Sequence, residues 1–205
     1  MTDREATHVE SFTTTLSVAI SLVDRRTGGP PVGEPTVTVT NADYDPVRTP
    51  SGYHVLVDLP AHPATIEVVV DAEAYIEEER PITHGSLPSD EPLVEIELEP
   101  GPAYPYGDGE TVVRGVVEEH GEPVAGAAVA YVQGSATART NEDGEYALPI
   151  REIDSVDVET DSDGNEILSP GGDTPTIEAT HPDDGTTDVD VSIPLGGTAS
   201  AHLAF

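Results

Sequence analysis

The sequence predicts an all-β chain arranged as two tandem β-sandwiches, and three observations carry that reading. From Phe12 onward apolar and polar residues alternate with a period of two, Pro and Gly clusters interrupt the alternation at short intervals, and the pattern of the first half returns in the second. No stretch shows the 3.6-residue period of an amphipathic helix.

In the first half, Leu16, Val18, Ile20 and Leu22 share one face of a strand, with Ser17, Ala19 and Ser21 on the other. Tyr53, Val55 and Val57 form a second apolar face, Ile66, Val68 and Val70 a third, and Val94, Ile96 and Leu98 a fourth. In the second half the same signal predicts strands over residues 113–117, 127–132, 177–180, 189–193 and 199–205. Pro31-Val32-Gly33, followed by Val37 and Val39, has its counterpart in Pro123-Val124-Ala125-Gly126, followed by Val129 and Tyr131. Pro123 lies 92 residues after Pro31, as Gly144 lies 92 after Gly52. Thr176-Ile177-Glu178 lies 111 after Thr65-Ile66-Glu67, so the second copy carries 19 extra residues between Ile150 and Thr176. That insert holds Asp157, Glu159, Asp161, Asp163 and Glu166 around Ser162-Asp163-Gly164-Asn165, and Val156, Val158, Ile167 and Leu168 flank the turn as an added hairpin would.

The expected organisation is a polar arm over residues 1–11, a first sandwich over 12–98, a linker over 99–110, and a second sandwich over 111–205 with its acidic hairpin at about 151–174. The linker, Glu-Pro-Gly-Pro-Ala-Tyr-Pro-Tyr-Gly-Asp-Gly-Glu, is semi-rigid by composition. A chain of 205 residues suits one or two domains.

Charge bounds the partners. Eight basic residues, all Arg, stand against 40 acidic ones for a formal net charge of -32. Phosphate backbones and anionic membrane surfaces both need a basic patch, which excludes nucleic acid and membrane as partners. Self-repulsion of this size strains a compact state unless salt screens it, and at about 1 M the screening length is only ~3 Å. Abundant acid without Lys therefore reads as a halophilic protein built for concentrated salt. With no Cys there is no disulfide, no thiolate nucleophile and no Cys metal site. Residues 1–10 lack the apolar core of a secretory signal, and no run of about 18 apolar residues occurs, so the expectation is a soluble chain made in the cytoplasm without a signal peptide and either kept there or released by another route, such as within a particle.

The residues 112–148 carry a family resemblance. Val112-Val113-Arg114-Gly115-Val116-Val117, the turn Gly121-Glu122-Pro123-Val124-Ala125-Gly126-Ala127, and Thr140-Asn141-Glu142-Asp143-Gly144-Glu145-Tyr146 together resemble the carboxypeptidase regulatory-like domain, a transthyretin-like (prealbumin-like) β-sandwich. The first copy resembles it more loosely through Ser51-Gly52-Tyr53-His54-Val55, Leu59-Pro60-Ala61 and Ala74-Tyr75. The resemblance implies a noncatalytic module. Within it, Gly52 and Gly144 are expected at positive φ in tight hairpins, and Tyr53 and Tyr146 to pack inward. Residues 23–33 and 46–53 are also similar to carboxypeptidase regulatory-like proteins of phage-tail-like contractile injection particles, which implies other protein subunits as partners.

Candidate sites are few. Glu159, Asp161, Asp163 and Gly164 follow the 1, 3, 5, 6 spacing of a calcium loop, but its twelfth position is Pro170, where a bidentate Glu belongs, so an ordinary acidic turn competes with a calcium site. The histidines at 8, 54, 62, 84, 120, 181 and 202 show no metal-ligand spacing, and the fragments His84-Gly85-Ser86 and Gln133-Gly134-Ser135 lack a nucleophile elbow. Tyr104 and Tyr106 in the linker are candidates for a partner contact, the alternative being packing between the domains. Free sheet edges offer a further route to a partner, by strand addition. The reading is a noncatalytic structural or protein-interaction module, a component of a large assembly, with no cofactor expected. The alternative is a carbohydrate-binding or cell-surface adhesion sandwich, for which only 7 Tyr, 2 Phe and no Trp are available to build an aromatic platform.

Overall fold

A computed structural model describes residues 13–183 and 185–205; the expected arm over 1–11 and Phe12 lie outside them. The described chain is all-β, with three single turns of 3-10 helix at His84–Ser86, Ser155–Asp157 and Pro170–Gly172. None of its helices is long and apolar enough to cross a membrane. The described residues form two compact units, one of residues 13–22, 37–69 and 79–96, the other of 23–36, 70–78 and 97–205. Three pieces of the first copy and the linker, 23–36, 70–78 and 97–110, thus belong with the second copy.

The first unit is built on two sheets. One has the order β3 (Val47–Arg48), β4 (His54–Val57), β1 (Leu16–Asp24), β7 (Leu93–Leu98); the other runs β2 (Thr36–Val39), β5 (Thr65–Asp71), β6 (Glu78–Thr83). Val18, Ile20, Leu56, Ile66, Val68, Ile82 and Ile96 are buried, which bears out the period-two faces of β1, β5 and β7. On β4 the expected face is the wrong one. Tyr53 and Val57 are exposed, whereas His54 and Leu56 are buried. Pairing decides this: Val18 sits opposite Leu56 and Ile20 opposite His54, so the core-facing side of β1 selects the even-numbered residues of β4. Leu16 departs too, at 43% exposure, because the register shifts between Leu16 and Val18 and the residue no longer stays in phase with the buried row.

The second unit holds the larger core. One sheet has the order β12 (Glu145–Ile150), β8 (Thr111–Glu119), β17 (Thr198–Ala204), with the short β9 (Glu122–Pro123) also on β8; the other runs β11 (Thr137–Arg139), β10 (Ala128–Tyr131), β15 (Thr176–Thr180), β16 (Thr186–Asp190). Val113, Val117, Tyr146, Leu148, Ala201 and Leu203 from the first sheet and Val129, Tyr131, Ile177 and Ala179 from the second form one cluster, a sandwich-like core. β8 and β17 are parallel, with Thr198 opposite Val112 and Ala204 opposite Glu118. The strand expected over 189–193 lies earlier, at β16, and Ile193 instead enters the core and accepts the Leu168 N–H. The insert forms the expected hairpin, β13 (Val158–Thr160) with β14 (Glu166–Leu168), Val158 opposite Leu168.

Candidate functional site

The motif residues of the second copy act as three structural locks. The buried Thr140 hydroxyl donates to the Val124 carbonyl at 2.6 Å and accepts the Ala127 N–H at 2.8 Å, pinning the turn that follows Pro123. Gly144 has φ 70, and a Cβ there would meet the Val117 carbonyl oxygen at 2.6 Å. Tyr146, 1% exposed, sits opposite Gly115 and donates its hydroxyl to the Ala201 carbonyl at 2.9 Å. A Cβ on Gly115 would fall 1.6 Å from that oxygen, so only glycine leaves room for the arrangement. Burial pushes the Tyr146 phenol upward. The inward packing expected of Tyr146 is found; Tyr53, at 38% exposure, does not share it.

Tyr104 is buried, at 4% exposure, so it is not the exposed anchor that its linker composition suggests. Its hydroxyl donates to Asp24 Oδ2 at 2.7 Å, and the Tyr75 hydroxyl donates to the same oxygen at 3.0 Å. Asp24 Oδ1 accepts the N–H groups of Arg26 at 2.7 Å and Thr27 at 3.2 Å. Tyr75 in turn accepts the Val32 N–H at 2.8 Å, and its ring meets Tyr104 edge-on at 5.7 Å. Asp24 is fully buried. Burial alone would push its carboxyl up; the hydrogen bonds from Tyr104, the Arg26 N–H, Tyr75 and the Thr27 N–H outweigh it and hold the pKa below the usual carboxylate value. Burial and the neighbouring carboxylate push the Tyr75 phenol up to about 12 and Tyr104 higher still. This hub was missed from the sequence, although Asp24 follows Val18, Ile20 and Leu22 at the same period-two spacing and so occupies a core-facing position.

Tyr106 is half-buried. Arg26 lies 4.9 Å and Arg114 5.4 Å from its ring centroid, and its ring packs on Tyr104 at 5.0 Å. Arg26 pairs with Glu110, and Arg114 donates to the carbonyls of Pro102 and Tyr104. Arg26, Glu110, Arg151 and Glu152 line a cleft of about 540 Å³ in this unit, in which both signs of charge alternate. A second cleft, of about 380 Å³, gathers Asp71, Glu73, Glu77, Glu142 and Asp143 beside Arg139, whose guanidinium reaches Glu99 at 3.5 Å and Glu78 at 3.9 Å.

The calcium candidates do not converge. Asp161 Oδ1 accepts the N–H groups of Asp163 at 2.9 Å and Asn165 at 2.8 Å, and Oδ2 accepts the Asn165 amide at 3.1 Å, so the carboxylate closes its own turn. Those bonds hold the Asp161 carboxyl below the usual range. Glu159 lies on β13, before the turn. Among the described residues no three His, Asp or Glu side chains come together as a metal site. The histidines stay scattered: His54 is buried in β4, His202 pairs with Glu118 at 3.3 Å, and His181 lies 5.2 Å from the Phe205 ring. Ser86 donates to the Thr83 carbonyl at 2.7 Å.

No protein-family model matches this chain, and neither a curated protein nor a solved structure does.

Proposed function

We propose that the chain is a noncatalytic structural and protein-interaction module, built from two transthyretin-like sandwiches and held by protein contacts inside a larger assembly, of which a phage-tail-like contractile particle working in concentrated salt is the best fit. One observation carries this reading. Asp24, Asp161, Thr140 and Tyr146 are all engaged in holding the fold: Asp24 accepts from Tyr75, Tyr104 and two backbone N–H groups, Asp161 closes a turn, and Thr140 and Tyr146 bind backbone carbonyls. The carboxypeptidase regulatory-like motif around Pro123, Gly144 and Tyr146 supports the same conclusion, since its Thr140, Gly144 and Tyr146 do structural work here. The net charge of -32 supports a saline setting.

Velocity sedimentation of a native high-salt lysate, with each fraction probed for this chain, tests the reading. Co-migration with a megadalton particle is expected. Recovery only as a free species of 21.5 kDa would overturn it.

A further inference from the structure

Sheet edges expose unpaired backbone donors and acceptors, and proteins blunt them with charge or Pro to prevent unintended pairing. Among the described residues, the edge strands of at least five residues are β6, β7, β12, β16 and β17. β6 carries Glu78, Glu79, Arg80 and Pro81; β7 carries Glu95 and Glu97; β12 carries Glu145 and Pro149; β16 carries Asp188 and Asp190. β17, Thr-Ala-Ser-Ala-His-Leu-Ala, has no Asp, Glu, Arg or Pro, in a chain with 40 acidic residues. It is the longest of the five and the one whose strand carries neither Asp, Glu, Arg nor Pro.

Its hydrogen-bonding phase follows from the ladder with β8. The Val112 N–H donates to the Gly197 carbonyl and the Phe205 N–H to the Glu118 carbonyl, so the odd-numbered residues of β17 turn their backbone groups toward β8. Thr198, Ser200 and His202 therefore direct their N–H and C=O groups away from it. Among the described residues this outward run is bounded: the Gly197 N–H closes a turn on Pro194 before it, and the Ala204 carbonyl accepts the Thr187 hydroxyl at 2.9 Å after it. The side chains of Ala199, Ala201 and Leu203 are in the core, whereas Thr198, Ser200, His202 and Ala204 are exposed.

We infer that β17 is a self-pairing edge, and that its occupant is β17 of a second copy, running antiparallel about a two-fold axis at Ser200. That register sets Ser200 against the second copy's Ser200 and Thr198 against the second copy's His202, each a hydrogen-bonded pair that exchanges both N–H···O=C bonds. The self-complementary choice follows from charge. Two copies of net charge -32 repel wherever their acidic edges meet, and β17 is the long edge along which two backbones can approach without opposing carboxylates on the paired strands. The inference rests on the module reading and supplies its first protein contact.

Sedimentation equilibrium of the full chain in 2 M KCl is the test, with circular dichroism as a check on folding. A dimer is expected, and its Kd falls as KCl is raised, because screening removes repulsion. Ser200→Pro deletes an outward N–H in both copies without touching the β8 ladder, and is expected to raise Kd by about tenfold or more. Thr198→Asp with His202→Asp, which sets Asp against Asp twice on the exposed face of the paired strands, is expected to raise Kd severalfold, and more as KCl is lowered and screening weakens. Asp188→Asn on β16 leaves the dimer intact. A wild-type monomer at every concentration, or a folded Ser200→Pro or double-Asp variant that dimerises like the wild type, overturns the inference. A monomer in isolation that still co-sediments with a megadalton particle in lysate overturns β17 self-pairing and leaves the module reading standing.

Discussion

Replacing Asp24 by Ala tests whether the buried hub holds the second unit together. The carboxylate accepts two tyrosine hydroxyls and two backbone N–H groups at 2.7–3.2 Å and is 0% exposed. Deleting it strands the Tyr75 and Tyr104 hydroxyls in a site that water does not reach, at about 1–3 kcal/mol for each buried donor left unpaired. Two such donors, with the loosened turn at Arg26 and Thr27, bring the expected loss to about 4 kcal/mol, or a fall in Tm of about 10 °C. Asp24→Asn keeps the shape and one accepting oxygen and should cost about 1–2 kcal/mol. Thermal unfolding in 2 M KCl followed by tyrosine fluorescence reads the hub directly, since the chain has 7 Tyr and no Trp. The pH dependence has a definite sign. Because the folded pKa lies below the ordinary value of 3.8, the stabilisation is complete above about pH 4 and is lost as pH falls through the depressed folded value. The Asn variant lacks that acid limb. An Asp24→Ala protein that melts within about 2 °C of the wild type, or an Asn variant with an unchanged acid limb, would refute the assignment.

Gly115→Ala should destabilise the second unit by about 3 kcal/mol, because the new methyl group lands on the Ala201 carbonyl; a Tm equal to the wild type would show that β8 and β17 have room to separate. His54 has its pKa held below 6.5 by burial and by the Arg48 charge, so the native state refuses a proton that the unfolded chain accepts. Stability is therefore full above about pH 6.5 and declines as pH falls toward the folded value, and His54→Leu should flatten that decline in melts taken from pH 7.5 to 5.5. The melting temperature should rise between dilute buffer and molar KCl as screening relieves self-repulsion, and an unchanged value would sink the halophilic reading. Calcium at millimolar concentration should leave the melt unmoved, since the Asp161 oxygens already serve the turn; a calcium-dependent rise abolished by Asp161→Asn would restore the acidic hairpin as a site.

Much of this fold is local and could be read directly from the residues. Period-two alternation placed β1, β5 and β7, because a half-buried strand leaves that imprint whatever it pairs with. Gly52 at φ 90 and Gly144 at φ 70 were legible because tight turns need that conformation and Gly adopts it without strain. The acidic hairpin was legible for the same kind of reason, with its turn residues flanked by short apolar runs. The site was far less so: the motif marked Thr140, Gly144 and Tyr146, but their bonding partners Val124, Ala127 and Ala201 lie up to 55 residues away.

What the sequence determined by itself is thus the element type, the turn positions and the charge, all set by near neighbours and composition. The tertiary structure decided the rest through strand pairing. Residues 53–57 have apolar side chains on both faces, Tyr53, Val55 and Val57 against Leu56, and only the pairing of β4 with β1 chose which face is buried. Tyr104 reads as an exposed linker aromatic until Asp24, 80 residues earlier, gives its hydroxyl a buried partner. The exposed backbone of β17 likewise has no local signature, because whether a strand is central or at an edge depends on which others reach its side, and that is settled only when the sheet is complete.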